Sequence, residues 1–159
     1  MATTHPPLKR HPALQPFSRD HYVGLVQAQH LLKAADGGDV DRRKVLKEFR
    51  DAWASDIAVH LDDEDRLLPE LLEETAIERL MREHEHLRGL AAEANERRRQ
   101  VDPGADWVRR LGQLLNDHIR WEERELFESI QAGADATKLS KLEGQTRALE
   151  QGRARRRTS

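Results

Sequence analysis

Four stretches of this 159-residue chain bring an apolar side chain back every three or four positions, and on each the apolar stripe is broken by a histidine. Twice a glutamate follows that histidine one helical turn later. The spacing predicts amphipathic helices over about 18–35, 39–68, 75–100 and 105–132. Ser18 and Asp39 are the N-cap candidates, and Gly37-Gly38, Pro69, Asp102-Pro103-Gly104 and Gly133 are the stops. No stretch alternates with period two over a useful length and β-branched residues are scarce, which argues against a sheet. Long helices with short connections pack as antiparallel neighbours, so the expected fold is all-α, an up-down-up-down antiparallel four-helix bundle over 17–132. An irregular arm over 1–16, with four prolines, precedes it. A possible short helix near 137–149 and a basic disordered tail occupy 133–159.

Composition narrows the chemistry. Although 35% of the residues are charged and 4% aromatic, the 37% that are hydrophobic suffice to bury one core. There is no cysteine, which removes disulfides, thiolate metal sites and cysteine nucleophiles together. Four of the 27 basic residues, Arg153, Arg155, Arg156 and Arg157, follow residue 150, while all 29 acidic residues lie at or before it, so the first 150 residues carry a net charge of −6. An acidic body argues against sequence-specific nucleic-acid binding. Without a signal-like or membrane-spanning apolar run, the expectation is a cytoplasmic protein with no membrane partner.

The stripes read Phe17, His21, Leu25, Ala28, Leu32 in the first segment and Trp53, Ile57, His60, Glu64 in the second. In the third they read Ile77, Leu80, His84, Leu87, and in the fourth Leu111, Leu115, His118, Glu122, Leu126. At about 1.5 Å of rise per residue, His60, Glu64, His84, His118 and Glu122 fall at one height in antiparallel packing, and His21 reaches the same end. Buried glutamates must be paired or must ligate a metal. Taken singly each histidine reads as a hydrogen-bonded core residue; six such groups at one level read as a metal site. Imidazole and carboxylate without sulfur suit iron, manganese or zinc, and two shared carboxylates suit a pair of ions. The Glu-x-x-His spacing of ferritin-like bundles is not the one present.

These motifs resemble the hemerythrin-like (HHE cation-binding) family. The resemblance is carried by Ser-Arg-Asp-His21, His60-Leu-Asp-Asp-Glu64 with Leu67-Leu68-Pro69, Arg-Glu-His84, and Asp-His118-Ile-Arg-Trp-Glu122-Glu123 with Leu126-Phe127. An acid-His dipeptide opens three of the four. The resemblance implies a carboxylate-bridged pair of non-haem iron ions, with His21, His60, His84 and His118 as terminal ligands and Glu64 and Glu122 as bridges. In some members the last acid lies five residues after its histidine, which selects Glu123; helical geometry favours Glu122. The implied ligand is O2, or another small diatomic or peroxide.

Oxygen carriers of the family have a further histidine where this chain has Leu80, one turn before His84. Its loss implies an open or water-filled coordination position, which favours sensing or oxidant chemistry over oxygen carriage. A di-iron oxidase or peroxidase using that position, and a metal-free or zinc-bound helical interaction module, are the alternatives. Trp53, Ile57, Leu80, Leu87 and Leu115 are the expected dry surroundings. His30 and His86 fall on other helix faces, and His5 and His11 in the arm. Ligating imidazoles must be neutral, so metal is expected to leave as pH falls below the imidazole range.

Overall fold

In a computed structural model that describes residues 9–158, every regular element is helical, and no strand occurs among the described residues. Helix α1 (Gln15–Ala35) opens earlier than the Ser18 cap implies, because Pro16 sits in its first turn, where a missing N–H costs nothing. Ser18 Oγ instead donates to Glu123 Oε2 at 3.1 Å. Helix α2 (Asp39–Ala52) is capped by Gly38, not Asp39; Asp39 and Asp41 stand in its first turn, where the helix dipole favours acids. A π-helical turn, Trp53–Ile57, joins α2 to α3 (Ala58–Leu67) without breaking the rod, and the Ala58 N–H reaches back to the Trp53 carbonyl. Helix α4 (Glu74–Arg97) follows the short turn Pro69–Leu71. Helix α5 (Ala105–Trp121) begins at Gly104, whose φ of 98° is a left-handed conformation that suits glycine. A second π-helical turn, Glu122–Leu126, leads into α6 (Phe127–Gly133).

The C-terminal segment corrects the expectation of a short helix and disordered tail. It forms α7 (Ala136–Thr158), which lays Leu139 and Leu142 into the core and carries Arg153 into ion pairs with Asp20 and Asp63. Few apolar side chains hold it, which is why its periodicity is weak. The arm is likewise docked where described, with Ala13 and Leu14 fully buried; residues 1–8, including His5, lie outside the described residues.

The core is divided. One apolar cluster, with Leu31, Phe49, Leu61, Leu90, Leu111 and Leu115 among its members, fills the end of the bundle at the α1–α2 turn. A second, with Leu14, Phe17, Leu68, Leu80, Phe127 and Leu142, fills the other. Buried histidines and glutamates occupy the levels between them. At the first end, Arg42 donates to both Asp102 oxygens at 2.9 Å and to the Ala35 and Gly37 carbonyls, fastening one interhelical turn to another.

Close approach of α1 and α5 depends on two glycines. A Cβ on Gly24 would lie 2.6 Å from Ile119 Cδ1, and one on Gly112 would lie 3.0 Å from Leu31 Cβ and 3.1 Å from the Ala28 carbonyl oxygen. Residues rising along α1 therefore meet residues falling along α5, and the two helices run in opposite directions. The atoms facing Gly112 cannot swing aside. Gly112→Ala is expected to lower unfolding free energy by about 1 kcal/mol, overpacking of about 1–3 kcal/mol being partly offset by helix propensity of about 1 kcal/mol. Gly89→Ala, with nothing within 4 Å of the added methyl, is expected to gain about 0.5–1 kcal/mol. Chemical denaturation of the two variants checks the opposite signs.

Candidate metal centre

Each rod of the bundle sends at least one titratable side chain to the level between the apolar clusters. His21 comes from α1, His60 and Glu64 from α3, His84 from α4, His118 from α5, and Glu122 from the π-helical turn after it. All six are buried; Glu64, His84 and Glu122 have 0% exposure. They form two overlapping sets, His21, His60, Glu64, Glu122 and Glu64, His84, His118, Glu122, and within each set one ligand atom per residue lies within 4.8 Å of all the others. The two glutamates belong to both sets.

The inner atoms are close but not hydrogen-bonded. His60 Nε2 lies 3.2 Å from Glu64 Oε1, His84 Nε2 3.3 Å from the same oxygen, and His21 Nε2 3.2 Å from Glu122 Oε2. His118 Nε2 and Glu122 Oε1 are in closer contact still. None of the four Nε2 atoms and none of the four carboxylate oxygens has a hydrogen-bond partner of acceptable geometry. Eight unpartnered polar atoms in one buried layer are costly unless something else satisfies them.

The outer nitrogens contrast with this. Every Nδ1 faces a carboxylate: His21 with Glu123 at 2.8 Å, His60 with Asp20 at 3.1 Å, His84 with Asp65 at 2.6 Å, and His118 with Glu83 at 2.8 Å. An Nδ1–H donated to each acid leaves the Nε2 lone pair pointing inward, the tautomer a metal requires. Aromatic rings fix the planes further, Phe127 stacking on His21 with centroids 5.4 Å apart and Phe17 meeting His60 edge-on at 5.6 Å.

Each acid belongs to a helix other than that of the histidine it orients. Asp20 of α1 serves His60 of α3, Asp65 of α3 serves His84 of α4, Glu83 of α4 serves His118 of α5, and Glu123 after α5 serves His21 of α1. Sequence reasoning did not single out Asp20, Asp65 or Glu83, although two of the three acid-His dipeptides contain ring members. The third acid, Asp117, is exposed and accepts hydrogen bonds from Gln113 and Asn116. Glu123 is absent from both inner sets and stands beside them. His30 and His86 are exposed, and His11 accepts the Ala13 N–H.

A cavity of about 20 Å³ adjoins the layer, walled by Gly24, Ile57, Leu61, Leu115 and Ile119 and reached by His21, His60, His118 and Glu122. Leu80 is not part of its wall. It is fully buried in the other apolar cluster, while Leu87 packs in the first and Trp53 is half-buried against it.

Burial alone would push these imidazoles toward neutrality, but the carboxylates outweigh it. Glu64 and Asp20 raise His60 to about 10, Asp65 and the two inner glutamates raise His84 to about 11, and Glu122 and Glu83 raise His118 to about 9. His21 is raised too, by Glu122 and Glu123 against burial. Burial opposes ionisation of Glu122, yet His118 holds it well below the ordinary carboxylate range. In the metal-free chain the layer therefore balances its charge with protons.

The family model for the hemerythrin HHE cation binding domain matches residues 19–130. No curated protein and no solved structure matches the chain. Among the described residues, no helix is long and apolar enough to cross a membrane.

For groups whose folded values are raised, the stabilisation is complete below the unfolded imidazole value near 6.5 and is lost as pH climbs through about 9 to 11. The depressed Glu122 acts oppositely, stabilising above the ordinary glutamate range and losing its contribution as pH falls. The metal-free chain is expected to melt at progressively lower temperature from pH 6.5 upward. Divalent metal added at neutral pH is expected to release protons, giving binding heats that scale with buffer ionisation enthalpy. A melting temperature that rises over that pH range contradicts this account.

Proposed function

We propose that this chain, which belongs to the hemerythrin HHE cation-binding domain family, is a non-haem di-iron protein that binds or senses O2 or a related small oxidant, or iron itself. The observation that carries the reading is the convergence of eight buried, unpartnered nitrogen and oxygen atoms in two sets that share both carboxylates. This donor set fits a pair of hard-to-borderline cations without sulfur. In this reading His21 and His60 would hold one iron ion and His84 and His118 the other, with Glu64 and Glu122, which belong to both sets, available to each. The metal-binding unit spans 17–132. When bound, the iron pair supplies electrons to, or a reversible binding position for, a small oxidant.

The remaining work falls to the chain. Asp20, Asp65, Glu83 and Glu123 hold the imidazole protons on Nδ1 and turn the rings inward. Ile57, Leu61, Leu115 and Ile119 give the cavity beside the histidines an apolar wall, and its size suits one small molecule. Gly24 lines the same cavity, where an added Cβ would press on Ile119 Cδ1 at 2.6 Å. Leu80 fills its own space among apolar neighbours, so the oxidase or peroxidase alternative gains no room from it. The finer topology proposed is the up-down-up-down antiparallel bundle. It is supported by where the orienting acids stand: one residue before a histidine on α1 and α4, and one residue after a glutamate on α3 and after α5. That alternation keeps all four acids on the same side only if successive rods reverse direction.

Loading the metal-free chain with ferrous iron under nitrogen is expected to give about two ions per chain, and air is then expected to produce visible absorption from oxygen-ligated ferric iron. His60→Ala should lower the stoichiometry and weaken the absorption. Less than about one ion per wild-type chain, or no effect of His60→Ala, overturns the assignment.

A further inference from the structure

The four orienting carboxylates are themselves held, each by an arginine. Arg10 Nη2 lies 2.9 Å from Glu123, Arg153 Nη1 2.7 Å from Asp20, Arg88 Nη2 2.6 Å from Asp65, and Arg79 Nε 2.7 Å from Glu83. In three of the four carboxylates, one oxygen takes the imidazole and the other the guanidinium. The pattern arginine–carboxylate–histidine therefore repeats around the layer.

The four arginines are not equivalent. Arg79 and Arg88 side chains are 44% and 36% exposed, where an ion pair contributes little, whereas Arg10 and Arg153 are 15% and 20% exposed. Arg10 is also anchored by the Glu123 carbonyl at 2.9 Å and by Gln131, and it lies over Phe127, the ring stacked on His21. Arg153 spans two acids, its second nitrogen donating to Asp63 at 2.9 Å. Both lie outside residues 19–130, the part that the family model matches.

We infer that Arg10 and Arg153 are positioning residues of the metal centre, and that the docked N-terminal arm and helix α7 complete a ligand shell that the matched domain alone leaves open on two sides. The inference rests on the metal-binding reading above. Each guanidinium limits its carboxylate to one rotamer, and that carboxylate in turn limits the swing of His21 or His60 about the inward direction. Loss of either arginine frees a histidine to leave its metal, so the effect appears in how fast metal departs.

The test follows release of ferrous iron from the loaded full-length chain into excess chromogenic chelator, without oxygen and without any turnover assay. Arg153→Met and Arg10→Met are each expected to release iron roughly 10-fold faster than the wild type. Arg153→Lys, which keeps the charge but cannot span Asp20 and Asp63, is expected to fall between, and it carries the same test should Arg153→Met not fold. Lys141→Met, on the same helix but paired with exposed Glu70, is the control expected to match the wild type. A double-mutant cycle separates positioning from mere docking of α7. Asp20→Asn should be fast alone, and adding Arg153→Met should change it by less than about twofold. Wild-type release rates in both arginine variants, or fully multiplicative effects in the cycle, overturn the inference while leaving the metal centre standing. A wild-type chain that takes up no iron overturns both.

Discussion

Six ionisable side chains share one buried layer, and the rest of the molecule is arranged to make that tolerable. Without metal, the surrounding carboxylates hold protons on the imidazoles, which is why burial fails to keep those imidazoles neutral. Nothing apolar can substitute at this level while the carboxylates remain. The hydrophobic core is accordingly split into two clusters that close the layer off from both ends, and each rod passes from one cluster to the other through the polar level.

The layer is built in depth. Inner atoms face one another without hydrogen bonds, outer nitrogens are fixed by acids, and the acids are fixed by arginines. Moving outward, the parts come from progressively more distant segments, ending in residues 10 and 153. The centre thus draws on the described arm and the last helix, which also place Ala13, Leu14, Leu139 and Leu142 in the second apolar cluster.

Much of this was legible in the sequence. The apolar stripes locate the helices, and counting rise per residue from the turns places His60, Glu64, His84, His118 and Glu122 at one height, where they are found together with His21. Other features leave weaker traces. Neither π-helical turn has a residue signature, since one wider turn costs a single backbone register and no particular side chain. Glu123 stands five residues after His118, and ideal helical geometry turns it off that histidine's face; it instead meets His21 across the bundle. Ser18 looked like a cap because capping is local, whereas its hydroxyl serves a partner 105 positions away. Helix α7 leaves a weak periodic trace because a few leucines and a bridging arginine hold it, and a single charged side chain has no periodicity.

The ring of acids has a sense of rotation. Going from α1 to α3, α4 and α5 and back to α1, every acid points forward to the histidine of the next rod and none points back. A residue adjacent in sequence is displaced by about 100° around its helix, so each acid can reach only one of its two neighbours. A bundle with the same helices and the same apolar stripes, but turning the opposite way, would bury its leucines equally well and would aim all four acids at the wrong histidine. Hydrophobic patterning is blind to that mirror-related topology. Four carboxylates in single file make the fold chiral at the level of the whole bundle.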